Sequence, residues 1–241
     1  AFRYLAPPVG IPLRLIAATT IAAPLALAAY YTGSRGGILA TAAMAGMFII
    51  SRFQVSVKRL ILFGVLGFAA LNLAPSYLTE TKDSQGSAQG RVDMWAKGME
   101  MVQQNPAFGI GRGNYARYTG RLVAHNSAIE AMGEMGFPGL FAWIAMLYLG
   151  FKGLAMGMRA TTEPADRESL LAVSMAMAGY LVSSLFVSLE TEIMYFLLGL
   201  MAGASRLTGL QVSFGWRDFK IVAVILVSFF LFFKIYIIRY Y

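Results

Sequence analysis

The stretch IVAVILVSFFLFF, Ile221 to Phe233, is apolar around its whole circumference when wound as a helix. A helix in a soluble protein keeps a polar face toward water, so this one is suited to lipid. Two more runs, Leu15 to Tyr31 and Leu60 to Leu73, have the same character. The whole chain agrees with them. It is 58% hydrophobic and only 13% charged over 241 residues, against about 45–50% and about 25% for a soluble domain. An all-α, polytopic membrane protein is expected, with the bilayer as its main surrounding.

A spanning helix needs about 20 mostly apolar residues. Seven segments qualify approximately: Pro12–Thr32, Gly36–Ile50, Lys58–Ala74, Pro138–Met158, Ser169–Val187, Glu192–Arg206 and Phe219–Ile238. The second and sixth are short and require tilt or enclosure by protein. Residues 1–241 thus read as one polytopic domain. The first residue is Ala1 and no signal-peptide pattern follows, so the chain is expected to begin partway through a longer protein.

Orientation follows from the basic residues in short loops. Eleven of the 20 Lys and Arg fall in one set of loops: Arg3, Arg14, Arg52, Lys58, Arg59, Lys152, Arg159, Arg167, Arg206, Arg217 and Lys220. That set belongs in the cytoplasm. The Thr32–Gly37 turn and the long segment Pro75 to Phe137 then share the outer side. Lys234 and Arg239 fall at the outer end of the last helix, against the trend, where long side chains can reach the headgroups.

The net charge of +8 does not point to nucleic acid, because the cations are dispersed and form no basic stripe. With no cysteine, disulfides, thiolate metal sites and thiol catalysis are excluded. One histidine and no Asp/Glu cluster cannot build an ordinary zinc or divalent-cation site, so neither metal nor cofactor is expected. A transporter is disfavoured, since no charged residue lies near the middle of a spanning segment.

Within the outer segment, Thr79 to Gly90 reads as a flexible Ser/Gln/Gly-rich loop, and a helix is predicted from Arg91 to Gln104, with Val92, Trp95, Met99 and Val102 on one face. Gly109, Gly111 and Gly113 allow a tight turn. A further helix is predicted from Asn126 to Met135, stopped by Gly136 and Pro138.

Three places could carry chemistry. Ser34-Arg35-Gly36-Gly37 reads either as a glycine turn with a snorkelling arginine or as a phosphate site, in which Gly36 and Gly37 admit a ligand to a helix N-terminus and the guanidinium grips it bidentately. Arg91, placed at the start of the predicted helix, faces the positive end of the dipole; Asp93 or a bound phosphate would resolve that conflict. His125 opens the following helix. It is either structural or a base that takes a proton near neutral pH, and Glu130 and Glu134, four apart, could orient a base or face water. Lys97, Arg112, Arg117 and Arg121 read as solvated or headgroup contacts.

Three features in order resemble the bacterial O-antigen ligase family, which shares this region with O-antigen polymerases and some protein O-oligosaccharyltransferases. They are the turn Ser34-Arg35-Gly36-Gly37; Gly90-Arg91-Val92-Asp93-Met94-Trp95 followed by Asn105-Pro106-Ala107-Phe108-Gly109-Ile110-Gly111; and His125-Asn126-Ser127 continuing to Glu134-Met135-Gly136-Phe137-Pro138-Gly139-Leu140. The resemblance runs from Thr32 to Leu147. It implies a glycosyltransferase of the inner membrane that moves a glycan from a polyprenyl diphosphate carrier to a hydroxyl acceptor, on a glycolipid, glycan or protein, at the periplasmic face. It further implies that Arg35 and Arg91 hold the diphosphate and that His125 activates the acceptor. A non-catalytic subunit of a membrane protein assembly, retaining the fold alone, is the alternative of another class.

Overall fold

The computed structural model describes residues 35–53, 82–120, 122–188, 192–206 and 209–240, together with 20, 23–24, 27–28 and 31. Seven helices lie among them: α1 (Arg35–Phe53), α2 (Lys82–Gln104), α3 (Tyr115–Tyr118), α4 (Ser127–Ala160), α5 (Pro164–Ser184), α6 (Glu192–Arg206) and α7 (Trp216–Tyr240). No described residue is in a strand, as expected of an all-α chain.

Five of the expected spans correspond to α1, the second part of α4, α5, α6 and α7. The span expected at Lys58–Ala74 lies outside the described residues, as does most of Pro12–Thr32. Among the described residues two helices are long and apolar enough to cross a membrane, Ser127–Ala160 and Trp216–Arg239, while Gly37–Ile49 and Ile193–Arg206 are apolar but shorter. In α5 the charges Asp166, Arg167 and Glu168 occupy the first turns. The apolar remainder, 169–184, would rise about 24 Å, short of a hydrocarbon layer of about 30 Å.

Contacts divide the chain into two units. The first comprises the described residues of Ala1–Phe48, Gly150–Ser183 and Glu192–Val212. Small residues and methionines set its packing. A side chain at Gly179 would come within 2.6 Å of Met44 Sδ, and one at Gly150 within 2.7 Å of Met201 Cε. Glycines thus let neighbouring helices approach closely, with the flexible thioethers filling the gaps.

The second unit comprises the described residues of Ile49–Leu149, Ser184–Thr191 and Ser213–Tyr241. Here α2 buries Val92, Met99, Met101 and Val102. It begins at Lys82, so the loop expected over Thr79–Gly90 is helical from there on. The reason is cooperativity. Once the packed turns after Arg91 supply the nucleus, each further turn toward the N-terminus adds a hydrogen bond for each residue fixed, and this offsets the poor propensity of Gly86 and Gly90.

Helix α7 runs antiparallel to α4: Phe137 meets Phe230 at 5.2 Å between ring centroids, Phe141 meets Phe219 at 5.1 Å, and Tyr148 donates to Asp218 Oδ1 at 2.7 Å. Its C-terminal end reaches α2, where Trp95 packs edge-on against Phe233 at 5.0 Å.

Two motifs 25 residues apart prove to be halves of one backbone clasp. Helix α4 breaks at Gly136 (φ 68°, ψ −168°). Because Pro138 has no N–H, the Glu134 carbonyl loses its helical donor there. Gly111 N–H supplies the bond instead at 2.9 Å, Ile110 N–H bonds the Gly133 carbonyl at 3.0 Å, and Phe137 N–H bonds the Pro106 carbonyl at 2.9 Å. The loop after α2 is thereby fixed to the break in α4.

Gly136 is indispensable to this contact, since a Cβ there would lie 2.6 Å from the Pro106 oxygen in a backbone region that is essentially glycine-only. Gly136→Ala is expected to cost at least about 1–3 kcal/mol, read as a lowered thermal midpoint and folded yield in detergent. A parent-like midpoint would contradict the clasp.

Candidate active site

His125 is the one non-glycine with a positive φ, 51°, among the described residues. A left-handed conformation costs an L-residue roughly 1–2 kcal/mol, so neighbouring bonds must hold it. They are present on both sides. Before it, Ala124 is fully buried and its carbonyl accepts from Trp95 Nε1 at 2.9 Å. After it, Asn126 is 1% exposed, and its Oδ1 accepts from the N–H groups of Ala128 and Ile129, both at 3.1 Å, capping α4. The Asn126 Nδ2 donates to the Leu185 carbonyl and Ser127 Oγ to that of Val187, each at 3.3 Å. Between two buried, bonded neighbours, the His125 side chain is exposed.

Arg91 lies on α2 with Trp95, Gly98 and Val102 at spacings of 4, 3 and 4, the face directed into the unit. It is one turn, about 6 Å of helix rise, before the tryptophan that bonds the residue next to His125. Trp95 therefore links the neighbourhoods of Arg91 and His125. The expectation that Arg91 sits at a helix N-terminus is corrected: α2 starts nine residues earlier, and the dipole no longer bears on it. Asp93 accepts instead from Gln89 at 3.4 Å. Among the described residues the half-buried Arg91 guanidinium forms no ion pair; the pair present on α2 is Lys97 with Glu100 at 2.9 Å.

Arg35 is the first residue of α1, followed by Gly36 and Gly37, and the first turn holds no acidic residue. A helix N-terminus with no acidic residue in its first turn favours a nearby anion. Ser34 lies outside the described residues, as does Arg121. Arg35 belongs to the first unit, Arg91 and His125 to the second.

Glu134 is 4% exposed, and its carboxylate accepts from the N–H groups of Gly113 and Tyr115, both at 2.8 Å. It thus secures the glycine-rich loop and the start of α3. Glu130, one turn earlier, faces the same tyrosine. Burial first, and then the Glu130 carboxylate, push the Tyr115 phenol up, so it remains a donor to the Met94 carbonyl. The Tyr115 ring needs both Gly98 and Gly133, where any side chain would press on it. Nearby, hydrogen bonds from Lys97 and Tyr118 hold the half-buried Glu100 carboxyl below its ordinary range.

Sequence reading overlooked Trp95 and Asn126 as organisers of the His125 turn. Asn126 had a readable signal, an N-cap residue type directly before a helix; Trp95 resembled any apolar-face residue. Among the described residues no group of three or more His, Asp or Glu could hold a metal ion.

Among the described residues the regular structure is helical, two helices are long and apolar enough to cross a membrane, and one histidine is held on an anchored turn. The family model described as O-antigen ligase matches residues 20–144, just over half the chain, and the chain belongs to that family of membrane glycosyltransferases. No curated protein and no solved structure gave a match. The matched range contains all three motifs quoted above.

Proposed function

We propose that this protein transfers a glycan from a polyprenyl diphosphate carrier to a hydroxyl acceptor at the periplasmic face of the bacterial inner membrane. The observation that carries the reading is the link from Arg91 through Trp95 to the turn of His125: a half-buried guanidinium that forms no ion pair among the described residues lies one helical turn from the tryptophan whose indole N–H bonds the residue before a histidine on a strained, doubly anchored turn.

In the reaction, His125 accepts the proton of the acceptor hydroxyl as its oxygen forms a bond to the anomeric carbon. The bond from that carbon to the diphosphate oxygen breaks, and polyprenyl diphosphate leaves with the electron pair. Arg91 and Arg35 offset the growing negative charge, the larger part of catalysis for a leaving group that is already good. Attack from the face opposite the diphosphate inverts the anomeric centre. These charges suffice without a metal ion.

Seven spans with the Pro75–Phe137 segment outside suit this chemistry. Packing of the α7 C-terminal end on α2 puts Lys234 and Arg239 on the side of that segment, where headgroups would receive them. The chain contains no cysteine, so single cysteines at the exposed positions Ala107 and Leu122 are expected to react with an impermeant thiol reagent added outside, and those at Thr162 and Ser213 are not. The reverse pattern would refute the orientation.

The function itself is tested with the complete protein in proteoliposomes, a defined polyprenyl diphosphate-linked glycan and glycolipid, glycan or peptide acceptors, in the presence of EDTA. Product and free polyprenyl diphosphate are expected in equal amounts, with inversion seen by NMR. Failure to transfer to any of the three acceptor classes would refute the reading.

A further inference from the structure

We infer that Asn126 is a positioning residue for His125, acting through the segment between α5 and α6. The inference rests on reading His125 as the acceptor base. An ordinary helix cap needs only an acceptor, and Asp, Ser or Thr would serve. The Asn126 amide does two things at once. Its oxygen takes the N–H groups of Ala128 and Ile129, and its nitrogen bonds the Leu185 carbonyl. No carboxylate could make the second bond, because it has no proton to donate near neutral pH.

Ser127 repeats the connection one residue on, to Val187. The segment after α5 is therefore tied at two carbonyls to the residues that immediately follow His125, while Trp95 ties the residue before it to α2. With positive φ at His125 itself, the imidazole is carried on a turn whose two ends are fixed to two different elements. Its position relative to Arg91 is then set by Trp95 on one side and by Asn126 on the other. A displacement of about 1 Å at a reacting group can cost roughly 10²-fold in rate, so losing one anchor should register in kcat.

The test compares Asn126→Asp with Asn126→Ala in the complete protein. Asp keeps the cap acceptor but replaces the bond to Leu185 with a buried carboxylate oxygen facing that carbonyl; Ala loses both bonds. For Asn126→Asp we expect a lowered thermal midpoint but folded protein, donor KM within about twofold, and kcat per folded protein lowered by roughly 10- to 100-fold. For Asn126→Ala the same kcat loss comes with a lower midpoint.

Because the chain has a single histidine, isotope-labelled histidine gives one imidazole signal, which should be a single sharp line in the parent and broadened or doubled in Asn126→Asp. That readout does not depend on activity. Parent-like kcat together with a parent-like imidazole line in Asn126→Asp would overturn the inference, and so would a loss of kcat confined to Asn126→Ala and proportional to its loss of folded protein. An altered imidazole line in Asn126→Asp, combined with full turnover in a His125→Ala protein, would overturn the base assignment and leave the anchoring in place.

Discussion

His125→Ala is expected to lower turnover by roughly 10²–10⁴-fold, the usual contribution of a general base, with membrane insertion and donor binding retained. The reason lies in the placement of the side chain. It is exposed, whereas the residues that hold the turn, Ala124, Asn126 and Ser127, are buried and bonded. His125→Asn sharpens the comparison, because asparagine tolerates positive φ well and so preserves the strained turn while removing the imidazole. A structural histidine would show the opposite pattern, with reduced folded yield in alanine and rescue by asparagine. Full turnover in either variant would remove His125 from the reaction.

The arginines should be nearly as sensitive. Arg91→Lys keeps the charge and gives up the planar fork that binds phosphate oxygens in pairs. A charged hydrogen bond contributes about 1.5–3 kcal/mol, so kcat/KM for the donor is expected to fall about 10- to 100-fold, with part of the loss in KM. Arg35→Lys should behave alike if the diphosphate also reaches the α1 N-terminus. If only Arg91→Lys is impaired, Arg35 returns to the role of a cation at the headgroups. Parent-like transfer in both would contradict diphosphate binding by either.

The physical basis of each success and each miss can be traced to particular residues. Ile221–Phe233 identified an apolar helix long enough to cross a membrane because its message is compositional and needs no partner, and α7 covers it. The end of α2 and the break at Gly136 were legible too, since Asn105-Pro106 and Gly136-Phe137-Pro138 stop a helix by local geometry. What local geometry cannot express is pairing. Nothing in Pro106-Ala107-Phe108-Gly109-Ile110-Gly111 announces that two of its N–H groups supply the carbonyls of Gly133 and Glu134 left free at the break in α4.

The same limit explains the start of α2, where helix propagates through Gly90 from a packed segment, and it explains Glu134, whose partners Gly113 and Tyr115 are distant in sequence. Arg91 was singled out for a helix-end argument that no longer applies. Its case now rests on the face it shares with Trp95 and on the absence of an ion pair among the described residues. His125 was legible as a candidate, but its strained backbone was not. Positive φ at a non-glycine is imposed by tertiary anchors, here Trp95 and Asn126.

That Arg91 and His125 serve one diphosphate-binding reaction centre is tested most directly by carbethoxylation of His125, the only histidine in the chain. In the purified, complete protein, a polyprenyl diphosphate-linked glycan should slow modification of the exposed imidazole by at least about tenfold at saturation, the polyprenyl monophosphate much less, and Arg91→Lys should abolish the protection at the same donor concentration. Equal modification rates with and without the diphosphate donor, or protection that survives unchanged in Arg91→Lys, would contradict it.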